Sequence, residues 1–285
     1  LDGSAIKQGQ TISISYTPGT VQAADGGILQ DFSNRPVENK ALFAGGNGTE
    51  GSPYLIETPE QLNNIRYRLD AHFRLVNDID LSDYLSESSE GYNEEKGWQP
   101  IGITGNRFSG TFDGNSKAII GLFINRPENI RIGLFGYTSN SAVIKNIHIE
   151  DAEVTGDTDV GILVGNNWGE ILNSTASGIV NGGEDSTGGL VGCNVGKIEN
   201  CGFIGDVSST GYSVGGLVGY NSGTVDTSYS SGNVTGLGDV GGLAGCNDEG
   251  TINNSYAMSK VYGGGNISYY GTGGLAGYSY GVITN

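Results

Sequence analysis

The 285-residue chain is poor in basic residues. Fourteen lysines and arginines face 31 aspartates and glutamates, which gives a formal net charge of −17. A phosphate backbone would repel such a surface, so we expect no nucleic-acid partner. The chain also contains no run of 18 apolar residues, so we expect no membrane span.

Histidine and cysteine are sparse as well. The two histidines, His72 and His148, lie too far apart in sequence to form the His-Glu-x-x-His motif of zinc peptidases. The three cysteines lie outside any Cys-x-x-Cys motif. We predict three free thiols, because the repeat described below places Cys193 and Cys246 about 9–10 Å apart, too far for a disulfide.

Glycine, in contrast, is abundant, with 51 residues. It costs about 1 kcal/mol relative to alanine in a helix interior, so this composition disfavours a mostly helical fold. Collagen is excluded too, because the chain has no Gly-X-Y period and only six prolines.

Much of this glycine belongs to an internal repeat. A Gly-Leu-apolar-Gly word recurs with a period near 27 residues, six times when the variant Ile162-Leu163-Val164-Gly165 is included. Asparagine, isoleucine and valine columns keep the same period. The six leucines are Leu134, Leu163, Leu190, Leu217, Leu243 and Leu275. The first asparagine column is Asn167, Asn194, Asn221 and Asn247, with Thr138 and Ser279 at its ends.

A repeat of this length and pattern predicts a β-solenoid. Helical repeats are longer, whereas short alternating apolar runs split by Gly, Asn and Ser are typical of strands and tight turns. Each coil should stack about 4.8 Å from the next, with apolar columns pointing inward and asparagine columns forming amide ladders. We also expect Cys201 to lie inward in a column of serines, and Tyr229 to stack on Tyr256.

The regular repeats begin near residue 130, and we assign 41–285 to the solenoid. Residues 1–40 are predicted to be an N-terminal strand or cap, or the remnant of a preceding domain. The word Thr58-Pro59-Glu60-Gln61 favours a short helix that caps the open end of the solenoid. Because Asn285 falls in the middle of a repeat, we expect the chain to be a fragment of a longer protein or to be completed by a partner.

The repeats from Gly133 to Asn285 resemble the bacterial GLUG-motif family, and words such as Gly97-Trp98-Gln99-Pro100-Ile101-Gly102 are similar to the lead-in of such repeats. The resemblance covers roughly residues 43 to 285. It implies a right-handed parallel β-helix on large secreted or surface-anchored proteins, many of them adhesin-like. Such repeats also occur outside the catalytic part of some immunoglobulin A-cleaving zinc peptidases. The family has no agreed catalytic residue, so the resemblance assigns no site.

From these observations we expect a non-catalytic stalk or adhesive module, extracellular on a bacterial surface or secreted, that binds a host or bacterial glycan or protein. Two alternatives stay open. One is a carbohydrate-active enzyme, a glycoside hydrolase or polysaccharide lyase built on the β-helix. The other is the non-catalytic repeat region of a secreted peptidase.

Acidic pairs bear on the enzyme alternative. Glycosidases need two carboxylates about 5–10 Å apart. Asp159 and Asp239 share a column but lie three coils, roughly 14 Å, apart. The words Asp157 to Asp159 and Glu184-Asp185 fall on neighbouring turns and could approach each other, although a solvated acidic turn explains them more simply.

Nothing in the sequence requires a cofactor, and calcium is the metal we consider. Asp78, Asp80 and Asp83 offer alternating oxygen ligands, and calcium takes six to eight oxygens. The spacing lacks the EF-hand glycine and terminal glutamate. Hydrogen bonding within a buried turn is the alternative explanation for Asp78 and Asp80.

Tyrosines are the remaining candidates for ligand binding. The long last step predicts a loop from Gly263 to Gly271, and exposed aromatic side chains there could stack on sugar rings or anchor a protein partner. Packing between loop and coil is the alternative. The candidates are Tyr262, Tyr269, Tyr270, Tyr278 and Tyr280.

Overall fold

A computed structural model describes residues 11–16, 32–38, 42–89, 91–264 and 270–284. The chain divides into two compact units, Leu1–Ala44 and Gly45–Asn285. In the first unit, β1 (Thr11–Tyr16) pairs with β2 (Phe32–Glu38) in antiparallel fashion.

The second unit begins with a lead-in of short elements. Its helix, α1, starts where the sequence predicts: Thr58 is the N-cap, its side chain accepts a hydrogen bond from the Gln61 amide, and Pro59 occupies the first turn. Leu62 and Ile65 bury the apolar face. The elements are β3 (Tyr54–Ile56), α1 (Pro59–Asn63), a 3₁₀-helix (Asn64–Tyr67), β4 (His72–Leu75), β5 (Ile79–Asp80), β6 (Thr111–Ile120) and β7 (Phe123–Asn125).

Regular coils follow, and their strands pair in parallel with the next coil. Ile171, for example, pairs with Ile144 on one side and Ile198 on the other. The strands are β8 (Phe135–Tyr137), β9 (Val143–Thr155), β10 (Val164–Asn167), β11 (Glu170–Leu172), β12 (Thr175–Gly182), β13 (Asp185–Gly188), β14 (Val191–Asn194), β15 (Lys197–Glu199), β16 (Gly202–Ser209), β17 (Tyr212–Gly215), β18 (Val218–Asn221), β19 (Thr224–Asp226), β20 (Tyr229–Gly236), β21 (Gly238–Gly241), β22 (Ala244–Asn247), β23 (Thr251–Asn253), β24 (Tyr256–Gly263), β25 (Thr272–Gly273), β26 (Ala276–Ser279) and β27 (Val282–Thr284).

These strands form three parallel sheets that run along the stack. A six-stranded sheet takes one strand from each coil, in the order β26-β22-β18-β14-β10-β8. A 15-stranded sheet carries the longest strands and most of the lead-in, and a four-stranded sheet completes the later coils. The predicted all-β parallel solenoid with coils of about 27 residues and a short helix near its N-terminal end is therefore confirmed.

The inward columns follow the sequence pattern. The repeat leucines up to Leu243 are fully buried, and Cys201 lies at 1% exposure in a column with three buried serines. Glycine is required where coils approach closely: a Cβ on Gly205, whose φ is +155°, would lie 2.0 Å from the Gly178 carbonyl oxygen. Tyr229 stacks on Tyr256, with ring centroids 5.7 Å apart. All three cysteines are free.

The first asparagine column forms an unbroken amide ladder through the interior. Each side-chain Nδ2 donates to the Oδ1 of the next asparagine at 2.7–2.9 Å, from Asn167 through Asn247. Thr138 donates to the first asparagine at 2.9 Å, and Asn247 donates to Ser279 at 3.1 Å. The ladder predicted from the repeat alignment is confirmed over its whole length.

A second asparagine column lies at an outer corner. Asn146, Asn173 and Asn200 have φ values of 53°, 49° and 53°, the left-handed region that asparagine tolerates better than most residues. Their amides also bond between coils, at 3.3 and 2.8 Å. One asparagine column therefore forms hydrogen bonds in the interior, and the other adopts the left-handed backbone conformation at the corner.

Candidate functional site

The predicted tyrosines do not form one surface. Tyr262 lies on β24 of the 15-stranded sheet, Tyr278 on β26 of the six-stranded sheet, and Tyr280 in the turn that follows β26. Tyr270 precedes β25, and Tyr269 falls outside the described residues. All four described tyrosines are exposed.

Two observations reduce the weight of these tyrosines as a ligand site. Tyr270 stacks on Tyr212 with centroids 4.5 Å apart, which is the packing between loop and coil that we set out as the alternative. Tyr278 and Tyr280 belong to the last described coil, where Leu275 and Ile283 are also more exposed than their equivalents in earlier coils. Their exposure follows from that position.

Asp78, Asp80 and Asp83 are exposed and lie in or beside β5. The Asp78 Oδ1 accepts the Ala118 amide at 2.9 Å, and the Asp80 Oδ1 accepts the Ser82 amide at 2.9 Å. The bond from Ser82 lowers the pKa of Asp80. Asp80 therefore bonds within its turn, as in the alternative explanation, whereas Asp78 bonds across to β6, and neither carboxylate is buried. Among the residues that the structure describes, no group of three or more His, Cys, Asp or Glu could hold a metal ion.

Asp159 is the one strongly buried carboxylate of the acidic turns, at 9% exposure. Its Oδ2 accepts the Asn166 amide at 2.8 Å and lies 3.7 Å from the Arg131 Nε. Burial raises its pKa, and these two partners oppose that rise. On the neighbouring turn, Asp185 uses its carboxylate to cap the Ser186 amide at 2.8 Å.

Around Asp159 the structure assembles an arginine–aromatic cluster of Arg107, Arg131, Tyr137 and Trp168. The Arg107 guanidinium lies 3.9 Å from the Tyr137 ring centroid and 5.0 Å from that of Trp168. Arg131 lies 4.8 Å from the Tyr137 ring. The contacts are cation–π interactions that fix an exposed tryptophan over the coil surface.

A charged pocket of about 230 Å³ lies on the outer face of the 15-stranded sheet. Arg74, Asp113 and Lys145 occupy paired positions on β4, β6 and β9, so their side chains line one side of it. The Asp113 Oδ2 lies 3.6 Å from Arg74 and 4.0 Å from Lys145. Both cations therefore have an ion-pair partner.

An aromatic cavity of about 270 Å³ lies beside α1 and the 3₁₀-helix. Residues of α1, the 3₁₀-helix and the segment Gly97 to Gln99 line one part of it, and Tyr84, Gly91 and Asn93 line the rest. Tyr67 is 59% exposed at its rim, whereas Trp98 is 1% exposed and donates its indole N–H to the Leu134 carbonyl at 3.2 Å. The cavity is lined by Asn63, Arg66, Tyr67, Tyr84, Gly91, Asn93, Gly97, Trp98 and Gln99.

Two arginines hold the wall of this aromatic cavity. Arg66 donates from Nη2 to the Gln99 carbonyl at 2.9 Å and to the Asn63 side chain at 2.7 Å. Arg126 donates from Nε to the Trp98 carbonyl at 3.1 Å. The Arg66 guanidinium lies 5.8 Å from the Trp98 ring centroid. Burial lowers the pKa of both arginines.

Sequence reasoning missed both the cavity and the cluster. The sequence feature that could have indicated them is the rarity of two residue types: Trp98 and Trp168 are the only tryptophans, and arginine is rare in this acidic chain. Each tryptophan lies next to arginines in the structure. Nothing in the repeat period could bring Arg66 and Arg126 to the same segment, because both precede the regular coils.

The stacked strands and repeat columns define a parallel β-solenoid. The family model described as the GLUG motif matches residues 183–208 and 210–235. These two stretches lie within the regular coils, so the chain carries GLUG repeats, as the resemblance implied.

Two curated relatives share the sequence over part of the chain. A "Putative Gly-rich membrane protein" of Evansella cellulosilytica is 42% identical over 140 residues, which is 47% of this chain and 16% of that protein. A "Halomucin" of Haloquadratum walsbyi is 36% identical over 176 residues, 60% of this chain and 2% of that protein. This chain therefore spans a small part of either relative.

Among solved structures, a crystal structure described as a "putative immunoglobulin A1 protease" from Bacteroides ovatus has the same fold. Its TM-score is 0.64 at 23% identity, over 85% of this chain and 78% of that one. At this identity the likeness establishes the architecture alone. In the described part of this chain, no helix is long and apolar enough to cross a membrane.

Proposed function

We propose that this chain is a non-catalytic module of a surface-exposed or secreted protein, in which the solenoid is a stalk that presents binding surfaces. The observation that carries the proposal is the unbroken stacking of the coils. Every coil bonds to the next through strands and through the buried amide ladder, so each added repeat lengthens the module by about 4.8 Å.

The location is supported by the names of the two relatives, "Putative Gly-rich membrane protein" and "Halomucin". Both are far longer than this chain, as expected where a repeat module is one part of a large surface protein. The strong negative charge would keep such a surface soluble. We extend the role to adhesion, with a glycan or a protein as the partner.

The carbohydrate-active alternative depends on Asp159, whose raised pKa is the property that a general acid needs. Its buried oxygen is, however, already bonded to Asn166 and paired with Arg131. Asp185 is also engaged, with the Ser186 amide. We therefore assign both carboxylates a structural role.

The peptidase alternative is favoured only as a non-catalytic repeat. The two histidines lie on different strands, His72 on β4 and His148 on β9, and they occupy different positions in the register. His148 bonds to Thr175 through Nδ1 at 2.8 Å. A zinc centre of the His-Glu-x-x-His kind has no place in this chain.

The stalk is tested by changing the number of coils. Spin labels at Arg74→Cys and Asn253→Cys, in a background with the native cysteines replaced, sit in one column, six strand steps and roughly 29 Å apart. Duplicating residues 183–209 should lengthen the label distance measured by pulsed electron resonance by about 4.8 Å, and two duplications by about 10 Å.

A matched insertion of 27 glycine and serine residues after Asn247 serves as the control and should leave that distance unchanged. A duplication that also leaves it unchanged would refute the stalk. Release of reducing sugar ends from a polysaccharide panel, lost in Asp159→Asn, would refute the non-catalytic assignment instead.

A further inference from the structure

We propose that the aromatic cavity beside α1 binds a pyranose sugar that carries a carboxylate, such as a uronic or sialic acid unit. The proposal deepens the proposed function, because it assigns a ligand class to one surface that the stalk presents. It rests on the arrangement of Arg66 and the aromatic side chains around a space of about 270 Å³, with Arg126 bonded to the backbone of one lining residue, Trp98.

The charge of the cavity is the first argument. Its lining contains one charged side chain, Arg66, and no aspartate or glutamate, in a chain with a net charge of −17. Arg126 contacts the same wall through the Trp98 carbonyl. Within the described ranges, neither arginine forms a salt bridge. Partly buried guanidinium groups without a carboxylate gain from an anionic ligand.

The geometry of Arg66 leaves room for such a ligand. Its Nε and Nη2 donate to Asn63 and to the Gln99 carbonyl, which fixes the plane of the guanidinium. Nη1 donates no hydrogen bond to any residue that the structure describes. A carboxylate can therefore accept from Nη1 without displacing a bond that holds the wall.

The remaining lining suits a sugar ring. Tyr67 at the rim offers an exposed aromatic face, on which the C–H face of a pyranose can pack. Asn93 and Gln99 also line the cavity, and side-chain amides donate to and accept from ring hydroxyls. The volume lies just below the range of about 300–1,000 Å³ typical of small-molecule sites, which fits a single ring.

The other two candidate surfaces lack this combination. In the charged pocket, Arg74 and Lys145 both pair with Asp113. In the arginine–aromatic cluster, Arg131 pairs with Asp159, and Arg107 packs over two rings. Each of these two surfaces already contains a carboxylate beside its cations, Asp113 or Asp159, so an anion gains less there.

The test is calorimetric titration of the whole chain with methyl glucuronide and with N-acetylneuraminic acid, beside methyl glucoside and acetate. We expect both acidic sugars to bind more tightly than glucoside or acetate, because ring and carboxylate act together. Arg66→Met should weaken acidic sugars at least about tenfold, and Tyr67→Ala should weaken them by a similar factor. Arg74→Met, which removes a cation from the charged pocket, should change nothing.

A second measurement guards against a variant that fails to fold. In a Trp168→Phe background, the fluorescence of Trp98 should change when either acidic sugar is added to the otherwise unaltered chain. Failure of both acidic sugars to bind below about 1 mM overturns the proposal. Equal binding of the glucoside overturns the carboxylate, and loss of binding in Arg74→Met overturns the location. None of these outcomes alters the coil-spacing distances, so the stalk is judged separately.

Discussion

Replacing Asn194 with alanine tests how much the buried amide ladder stabilises the solenoid. Asn194 is fully buried; its Nδ2 donates to the Asn221 Oδ1 at 2.8 Å, and its Oδ1 accepts from Asn167 at 2.9 Å. The same Nδ2 also donates to two backbone carbonyls at 3.3 and 3.4 Å, and alanine, which fits the backbone, removes all four bonds. The Asn221 oxygen then loses its donor in the interior, whereas the Asn167 amide keeps its bond to the Gly169 carbonyl at 3.1 Å.

The magnitude follows from these partners. A buried polar group left without a hydrogen bond costs about 1–3 kcal/mol. One fully orphaned oxygen and one partly deprived amide give an expected loss of about 2–4 kcal/mol in the free energy of unfolding. Urea unfolding followed by far-ultraviolet circular dichroism measures this loss, provided that the transition is single and its slope unchanged.

The control is Asn200→Gly in the exposed second ladder. Asn200 donates to Asn173 at 2.8 Å, and glycine accepts its φ of 53° without strain. Water replaces the lost partner there, so we expect a loss below about 1 kcal/mol. Equal losses in the two variants would show that the buried ladder has no special weight, and the reasoning would be refuted.

Two further predictions concern titrating groups. Burial raises the pKa of all three cysteine thiols to about 12, so in the native protein they should react slowly with a disulfide reagent at pH 8. After unfolding without reductant, three thiols should react. A count of one reactive thiol after unfolding would contradict this. In carboxyl NMR titrations, Asp159 should have a pKa above the usual range and Asp80 one below it. The stability that Asp159 contributes is therefore fully present at pH values below its pKa in the unfolded chain, and it is lost as the pH rises through its pKa in the folded protein. The stability that Asp80 contributes is fully present above its pKa in the unfolded chain, and it is lost as the pH falls through its pKa in the folded protein. Asp159 titrating at or below the usual range would contradict its burial.

The repeat made most of the fold predictable, because the same residue type recurs at equivalent positions of successive coils and so indicates repeatedly whether that position is buried. Leu190 and Leu217 recur in one column, and both are fully buried. Asn194 recurs with Asn221, and the two bond to each other. A helix start was equally readable at Thr58, since capping depends on local residues.

The repeat pattern did not predict the aromatic cavity. Arg66 and Arg126 are 60 positions apart and belong to no column, so their contact with one segment depends on how the lead-in folds. The high number of tyrosines in the last repeat led us instead to expect a binding site in the last coil. There Tyr270 packs on Tyr212, a pairing that exposure rules cannot foresee.

The repeated columns and the proposed sugar site therefore lie in different parts of the module. A residue that recurs in every coil must satisfy the same neighbours each time, as the Asn194 amide does, and it has little capacity left for a ligand. Departures from the period are free of that constraint. The aromatic cavity lies in the lead-in, and the arginine–aromatic cluster forms where lead-in Arg107 meets the first coils. Variation among relatives that changes ligand preference should concentrate there, while the columns of the regular coils set length and stability.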